Sequence, residues 1–352
     1  MQRRLHWLLY CSVLFGTIHD RFWARGIVLA LALSVLLSSS CSRGRSRARE
    51  AAYVSTPQAF LRDQVAAVYQ KKGIVKNGER VEILERDRRF AHVRTAAGVD
   101  GWIEQRYLVT QKVYDGFQKL AHDEENVPVQ AIAITRNDTN IHLTPGRDAE
   151  HLYQITQGSK VSILRRAAME KKLPGVSPKP ASPGKDAASP VTEDWWLVRN
   201  EQGHVGWVLA RMVDIDVPLE IAQYAEGQRI VAAFVLNEVS DGDKKVPQYL
   251  MVLSEPKDGM PFDYNQIRVF TWNVRRHRYE TAYHERLSNG VLPVTVTHEN
   301  FEKEGNLPVF ILPVKDDAGN VSERKYKLNT PVVRRVYAPG EEKNPHGSRR
   351  TK

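Results

Sequence analysis

At 352 residues, 42% hydrophobic and 26% charged, the chain has ordinary globular composition and room for two or three small domains. The formal charge of +10 would suit an anionic partner, but much of the excess sits at the ends, in Arg43, Arg45, Arg47 and Arg49 and in Lys343, Arg349, Arg350 and Lys352; such clusters read as solvated or juxtamembrane, and no nucleic-acid face is expected. Both cysteines, Cys11 and Cys41, precede Ser42, which excludes disulfides, thiolate nucleophiles and sulfur-bound metals from everything after it.

In chain order, two apolar runs come first: Leu5 to Ile18 behind Arg3 and Arg4, then "IVLALALSVLL" (27–37), followed by "SSSC" (38–41). Eleven residues at about 1.5 Å each cover only about half of a bilayer core, so residues 1–40 read as a signal peptide rather than a spanning helix. Small residues before a lone cysteine resemble a bacterial lipoprotein signal. That resemblance implies that Cys41 is the first mature residue and carries lipid, and that the protein is anchored to a membrane in the cell envelope, at the outer membrane where there is one. A plain cleaved signal, or one anchoring segment, is the alternative. Residues 41–52 form a basic linker whose arginines would reinforce the lipid at an anionic surface.

Residues 53–110 read as short strands. Val81 and Ile83 alternate with Glu82, "KNGE" is a turn, and "FAHVRT" and "GWI" flank "AAG". Residues 111–130 read as linker. The segment 131–217 then repeats the first pattern. Gly78, Val81, Ile83 and Leu84 recur 80 residues on as Gly158, Val161, Ile163 and Leu164. Phe90, Val93, Gly98, Gly101 and Trp102 recur 105 residues on as Trp195, Val198, Gly203, Gly206 and Trp207. The difference is an insert, 167–193, rich in Pro, Ser, Ala and Lys, expected as a flexible loop at a hairpin tip.

The Gly-x-x-Gly-Trp-aliphatic frame, with an aromatic three residues before a Val and "YL" at the end of copy one, resembles the bacterial Src-homology-3-like (SH3-like) domain. The resemblance implies two small SH3-like barrels with Trp102 and Trp207 in the core or closing the barrel. It also implies an aromatic groove for an extended ligand, built from Phe90 and Tyr107 in copy one and Trp195 in copy two, where Met212 stands in place of the tyrosine; the alternative, and the favoured one, is that Phe90 and Tyr107 pack the barrel or its rim.

Residues 218–338 carry further apolar strand runs separated by turn sequences such as "SDGDKK", "SNG" and "DDAGN"; "VFTWNVRRHRYETAYHE" and "VFILPVKDDAGNVSERKYKL" read as hairpins. The expected class is all-β throughout: two SH3-like barrels, then an antiparallel β-sandwich or open sheet. The tail 339–352 is expected to be disordered.

No His-Glu-x-x-His, His-x-His or Gly-x-Ser-x-Gly motif and no phosphate-cradling glycine loop occurs in the chain. His277, His284 and His298 lie in the last domain, with Glu285 and Glu299 beside two of them. Strict alternation puts His284 with Glu280 and Arg286 on a solvated face, opposite Tyr279, Thr281 and Tyr283. Glu255 and Asp258 read as turn residues. No catalytic residue, metal or cofactor is assigned. The expected function is a non-catalytic envelope lipoprotein that binds peptidoglycan or envelope proteins. The alternatives are an enzyme or enzyme subunit of wall metabolism with its site in the last domain, and a structural assembly factor.

Overall fold

The computed structural model describes residues 50–171 and 191–338. The N-terminal segment read from the sequence as a signal, with Cys41, the central part of the insert and the tail from residue 339 lie outside the described residues. The first seven strands are β1 (Glu50–Val54), β2 (Gln58–Arg62), β3 (Lys71–Lys76), β4 (Arg80–Asp87), β5 (Phe90–Thr95), β6 (Asp100–Glu104) and β7 (Leu108–Thr110). They form one antiparallel sheet in the order β3-β2-β6-β5-β4-β1-β7. Alternate residues point inward, so Val54, Leu61, Val75, Val81, Val93 and Ile103 make its core.

The second set is β8 (Ala131–Thr135), β9 (Thr139–His142), β10 (His151–Ile155), β11 (Lys160–Glu170), β12 (Thr192–Asn200), β13 (Val205–Leu209) and β14 (Val213–Ile215). Its order is the first one shifted by seven, β10-β9-β13-β12-β11-β8-β14. The shared glycines explain themselves here. Gly98 and Gly203 turn the chain at φ +82° and +83°, where a side chain is strained. Gly101 and Gly206 let two strands close on each other. A Cβ at Gly101 would sit 2.8 Å from Leu61 Cβ, and one at Gly206 would sit 2.3 Å from Ile141 Cγ2 and 2.7 Å from the His142 carbonyl. Both copies also bulge at the same place, at Leu84 and at Leu164.

Two features depart from the sequence expectation. Residues 111–130 are not bare linker, because Gln111–Asp123 form helix α1. Its Phe117 is buried, and Leu120 and Ala121 pack on Leu164, Leu197, Val205 and Trp207 of the second sheet. Arg199 donates to the Glu124 and Glu125 carbonyls just past the helix end, at 2.5 and 3.1 Å, where carbonyls lack helical partners. The insert enters and leaves through a lengthened β11–β12 hairpin, in which Glu170 faces Thr192 and the Lys171 N–H bonds the Val191 carbonyl at 2.7 Å.

A short helix α2 (Leu219–Ala222) leads into the third sheet. Its strands are β15 (Arg229–Asp241), β16 (Lys244–Ser254), β17 (Tyr264–Asn273), β18 (Arg278–Gly290), β19 (Thr295–Phe301), β20 (Gly305–Lys315), β21 (Val321–Asn329) and β22 (Val332–Val336). Their order is β15-β16-β17-β18-β20-β21-β22, with β19 paired to β20. β18 and β20 share a single register pair, Gly290 with Val314. The main core draws on both halves: Leu250, Val252, Ile267 and Val269 meet Phe310, Leu312, Tyr326 and Leu328. A smaller outer core of Ile221, Met251, Leu253 and Phe270 lies on the other face of β16 and β17.

A bulge at Ala282 breaks the expected parity of β18: Tyr283 pairs with Val269 and Thr281 with Phe270, neighbours that point to opposite faces. Tyr279 therefore packs on the outer core and Tyr283 on the main core, and Glu280 does not share a face with His284.

The second and third sheets are bolted together by buried polar groups. Gln130 is wholly buried; its side-chain amide accepts from the Val294 N–H at 2.7 Å and donates to the Val294 carbonyl at 3.2 Å. Arg166 and Asp194, both on the lengthened hairpin, pair at 2.7 Å with side chains 6% and 0% exposed. Asp194 also accepts from Arg229 at 2.6 Å and from the Gly259 N–H at 3.0 Å, while Arg166 reaches Asp263 at 3.2 Å and the Phe262 carbonyl at 2.9 Å.

Candidate functional site

In the first sheet the residues between inward-facing ones must point out. Gly101 and Ile103 are buried, so Trp102 of β6 lies on the outer face, half-buried, rather than in the core. It faces Arg62 on one side and His92 on the other, and the His92 ring stacks on it at 5.0 Å. Arg94 and Asp100 form the next rung, a two-pronged pair at 2.7 and 2.8 Å that holds the Asp100 carboxyl below its ordinary range.

Cations sit on the aromatic rings of this face. The Arg62 guanidinium lies 4.2 Å from the Tyr69 ring and 5.1 Å from Phe90, and Lys71 Nζ lies 3.8 Å from Phe60. Glu104 balances Arg62 at 3.4 Å and Arg106 at 2.9 Å. Arg106 in turn lies 4.8 Å from the Tyr107 ring and donates to its hydroxyl at 2.8 Å.

Two of the three groove residues read from the sequence are interior. Phe90 is 4% exposed, closed over by Arg62 and Arg89, and Trp195 is 2% exposed with its ring against His142 at 5.3 Å. Tyr107 is half-buried against the first core. The residues that do present a face to solvent are Arg62, His92 and Trp102.

Aligning the two copies shows why the faces differ. Where the second sheet has Leu164, Leu197, Val205 and Trp207, all under α1, the first has Leu84, His92, Asp100 and Trp102. Leu164 is fully buried, whereas Leu84 is 36% exposed. The second sheet keeps a cleft of about 350 Å³ beside Trp195 and Met212, with His142 and Asn140 in its lining. Burial pushes the His142 imidazole below its ordinary value, against a bond from the ring to the Ala149 carbonyl at 3.0 Å.

Residues 58–109 match the bacterial SH3 domain family. The SH3 domain thus spans β2 to β7 and contains the whole rung of Arg62, His92 and Trp102. No curated protein matches the chain. Among solved structures, NlpC2 from Trichomonas vaginalis is 11% identical over 82% of this chain and 96% of its own, with a TM-score of 0.16. NlpC1 from the same organism is 11% identical over 66% and 87%, also with a TM-score of 0.16.

The histidines of the last domain are placed separately. His277 bonds Asp241 at 2.6 Å at a hairpin tip, His284 faces Arg268, and His298 is exposed on β19. Glu285 accepts from the Tyr283 and Tyr326 hydroxyls at 2.7 and 2.8 Å, Glu299 pairs with Lys325 at 2.6 Å, and Asp258 with Arg229 at 2.7 Å. Glu255 accepts a long bond from Asn265 at 3.4 Å. Among the described residues no three of His, Cys, Asp and Glu gather as a metal site.

Proposed function

We propose that the protein is a non-catalytic component of the bacterial cell envelope, held at a membrane by lipid on Cys41, and that its SH3 domain binds peptidoglycan. The match over residues 58–109 carries this reading. The binding face is the outer rung of Arg62, Trp102 and His92, flanked by Arg106 and Tyr107. Its chemistry suits the carboxylate-bearing peptides of a wall polymer. A ligand carboxylate exchanges with Glu104 for two guanidiniums already held over aromatic rings, while Trp102 supplies flat apolar area.

Residues 131–217 are, on this reading, a second SH3-like copy with a different task. Its strand order and glycine roles repeat those of the first, but α1 occupies the face that the first copy leaves open. Binding therefore falls on copy one, and copy two joins it to the third sheet.

The test is co-sedimentation of the mature chain with purified peptidoglycan. Trp102→Ala and Arg62→Ala, each checked for an unchanged thermal midpoint, should each weaken retention by roughly tenfold, as for a central contact residue. Equal retention of both folded variants and the parent chain would remove this face from the function.

A further inference from the structure

The outer face of the third sheet is only partly covered. Ile221 of α2 seals Met251, Leu253 and Phe270, but beyond them the sheet opens into a cleft of about 540 Å³ between the α2 segment and the β17–β18 turn. That size lies within the roughly 300–1,000 Å³ of small-ligand sites. Its floor is aromatic. Trp272 meets Tyr279 edge-on at 5.0 Å, and Tyr249 lies 5.8 Å from Tyr279 at a tilt of 59°. All three rings are half-buried and line the cleft.

The floor is held in place rather than loosely packed. The Trp272 indole N–H donates to Asp241 at 2.8 Å, and His277 holds the same carboxylate at 2.6 Å. His277 reaches it from a left-handed backbone conformation, φ 49°, which non-glycine residues adopt at a cost. The Tyr279 hydroxyl is tied to the Pro247 carbonyl at 3.0 Å. The rim carries planar polar side chains on exposed positions: Glu220 and Gln223 on one wall, Arg278 on the other.

We propose that this cleft binds a glycan, one or two pyranose rings of a longer chain. The electron-rich faces of aromatic rings attract the weakly positive C–H face of a pyranose. The amide, carboxylate and guanidinium of the rim pair with the ring's edge hydroxyls. The competing occupant, a proline-rich peptide, needs a donor for its backbone carbonyls within the aromatic groove. Of the floor's donors, the indole N–H is already committed to Asp241 and the Tyr279 hydroxyl to Pro247, which leaves the Tyr249 hydroxyl as the floor donor beside the amide and guanidinium of the rim. The site lies wholly outside residues 58–109 and does not rest on wall binding by the SH3 domain, so the two readings fail separately.

The test is calorimetric titration of the mature chain with triacetylchitotriose, with cellotriose and with a proline decamer. A trisaccharide should bind, and Trp272→Ala should weaken it at least about tenfold. Arg278→Ala removes a rim contact and an exposed pair with Glu280 at 3.3 Å, a carboxylate that Asn273 and Arg276 also hold, so it should weaken binding several-fold with little change in thermal midpoint. Trp272→Phe keeps a ring but loses the bond to Asp241, which His277 still holds, and should fall between the parent and Trp272→Ala. Trp102→Ala should leave the affinity unchanged. The proposal is overturned if neither trisaccharide binds, if Trp102→Ala rather than Trp272→Ala removes the binding, or if the proline decamer binds and displaces the sugar.

Discussion

Replacing Asp194 with alanine should loosen the third sheet from the second. The carboxylate is fully buried and takes two guanidiniums and one backbone N–H, at 2.7, 2.6 and 3.0 Å. Removing one member of a buried charged cluster costs about 3–5 kcal/mol, because the partners stay buried without compensation. Here the partners keep something: Arg166 retains Asp263 at 3.2 Å and Arg229 retains Asp258 at 2.7 Å. The expected loss is therefore at the lower end, about 3 kcal/mol. At roughly 2–4 °C per kcal/mol for domains of 150–250 residues, calorimetry should show the midpoint fall by about 6–12 °C. Asp194→Asn keeps an acceptor for Gly259 and should lose less, about 1–2 kcal/mol. Limited proteolysis gives a second readout, since cleavage should appear between Glu255 and Asp263 in the alanine variant. A midpoint within about 1 °C of the parent, with that loop still resistant, would refute the claim that this cluster fastens the two sheets.

The repeated glycines should separate by cause. Gly206→Ala places a Cβ 2.3 Å from Ile141 and should cost about 2–3 kcal/mol in urea denaturation, Gly101→Ala somewhat less; Gly98→Ala meets open space and should cost only the left-handed penalty of about 1–2 kcal/mol. His142 is pushed below its ordinary 6.5 mainly by burial, so the unfolded chain takes the proton first. The stability this contributes is present above about pH 6.5 and is lost as pH falls below it, and His142→Gln should flatten the urea midpoint across that window. Tyr153 and Tyr279 are pushed up to about 12, chiefly by burial. Their contribution is intact below about pH 10 and lost as pH rises through about 12, which phenolate absorbance followed beside unfolding will show; Tyr153→Phe should hold its stability further into alkali.

The double Gly-x-x-Gly-Trp frame was legible because each position has a hard requirement, one glycine for a turn and one for close approach. The antiparallel hairpins of the third sheet were legible from their turns. Helix α1 had a readable stripe in Val113, Tyr114, Phe117, Leu120 and Ala121, but strand periodicity on either side hides a single helix placed between repeats. The outward Trp102 could have been found from its neighbours, because Gly101 and Ile103 on the inner side force it out. Comparing His92 and Asp100 with Leu197 and Val205 also tells which copy leaves its face wet. The bulge at Ala282 leaves no mark in alternation, since it inserts a residue without changing any residue's character, and so parity places Glu280 on the face of His284 when it lies on the other, while Arg286, on the near side of the bulge, stays with His284. The cleft beside Trp272 needed residues from α2, β16, β17 and β18 together, which no linear spacing displays.

Glu170 and Thr192 face each other across the foot of the insert, and a few residues further from it Arg166 and Asp194 are clamped to the third sheet. The stem thereby fixes where the chain leaves and re-enters the second sheet. The stem is a socket with fixed contacts: a fluorescent protein, an epitope or a longer spacer spliced there should leave the faces that Trp102 and Trp272 present where they are. It is the natural handle for tethering or imaging this protein with every other surface left intact.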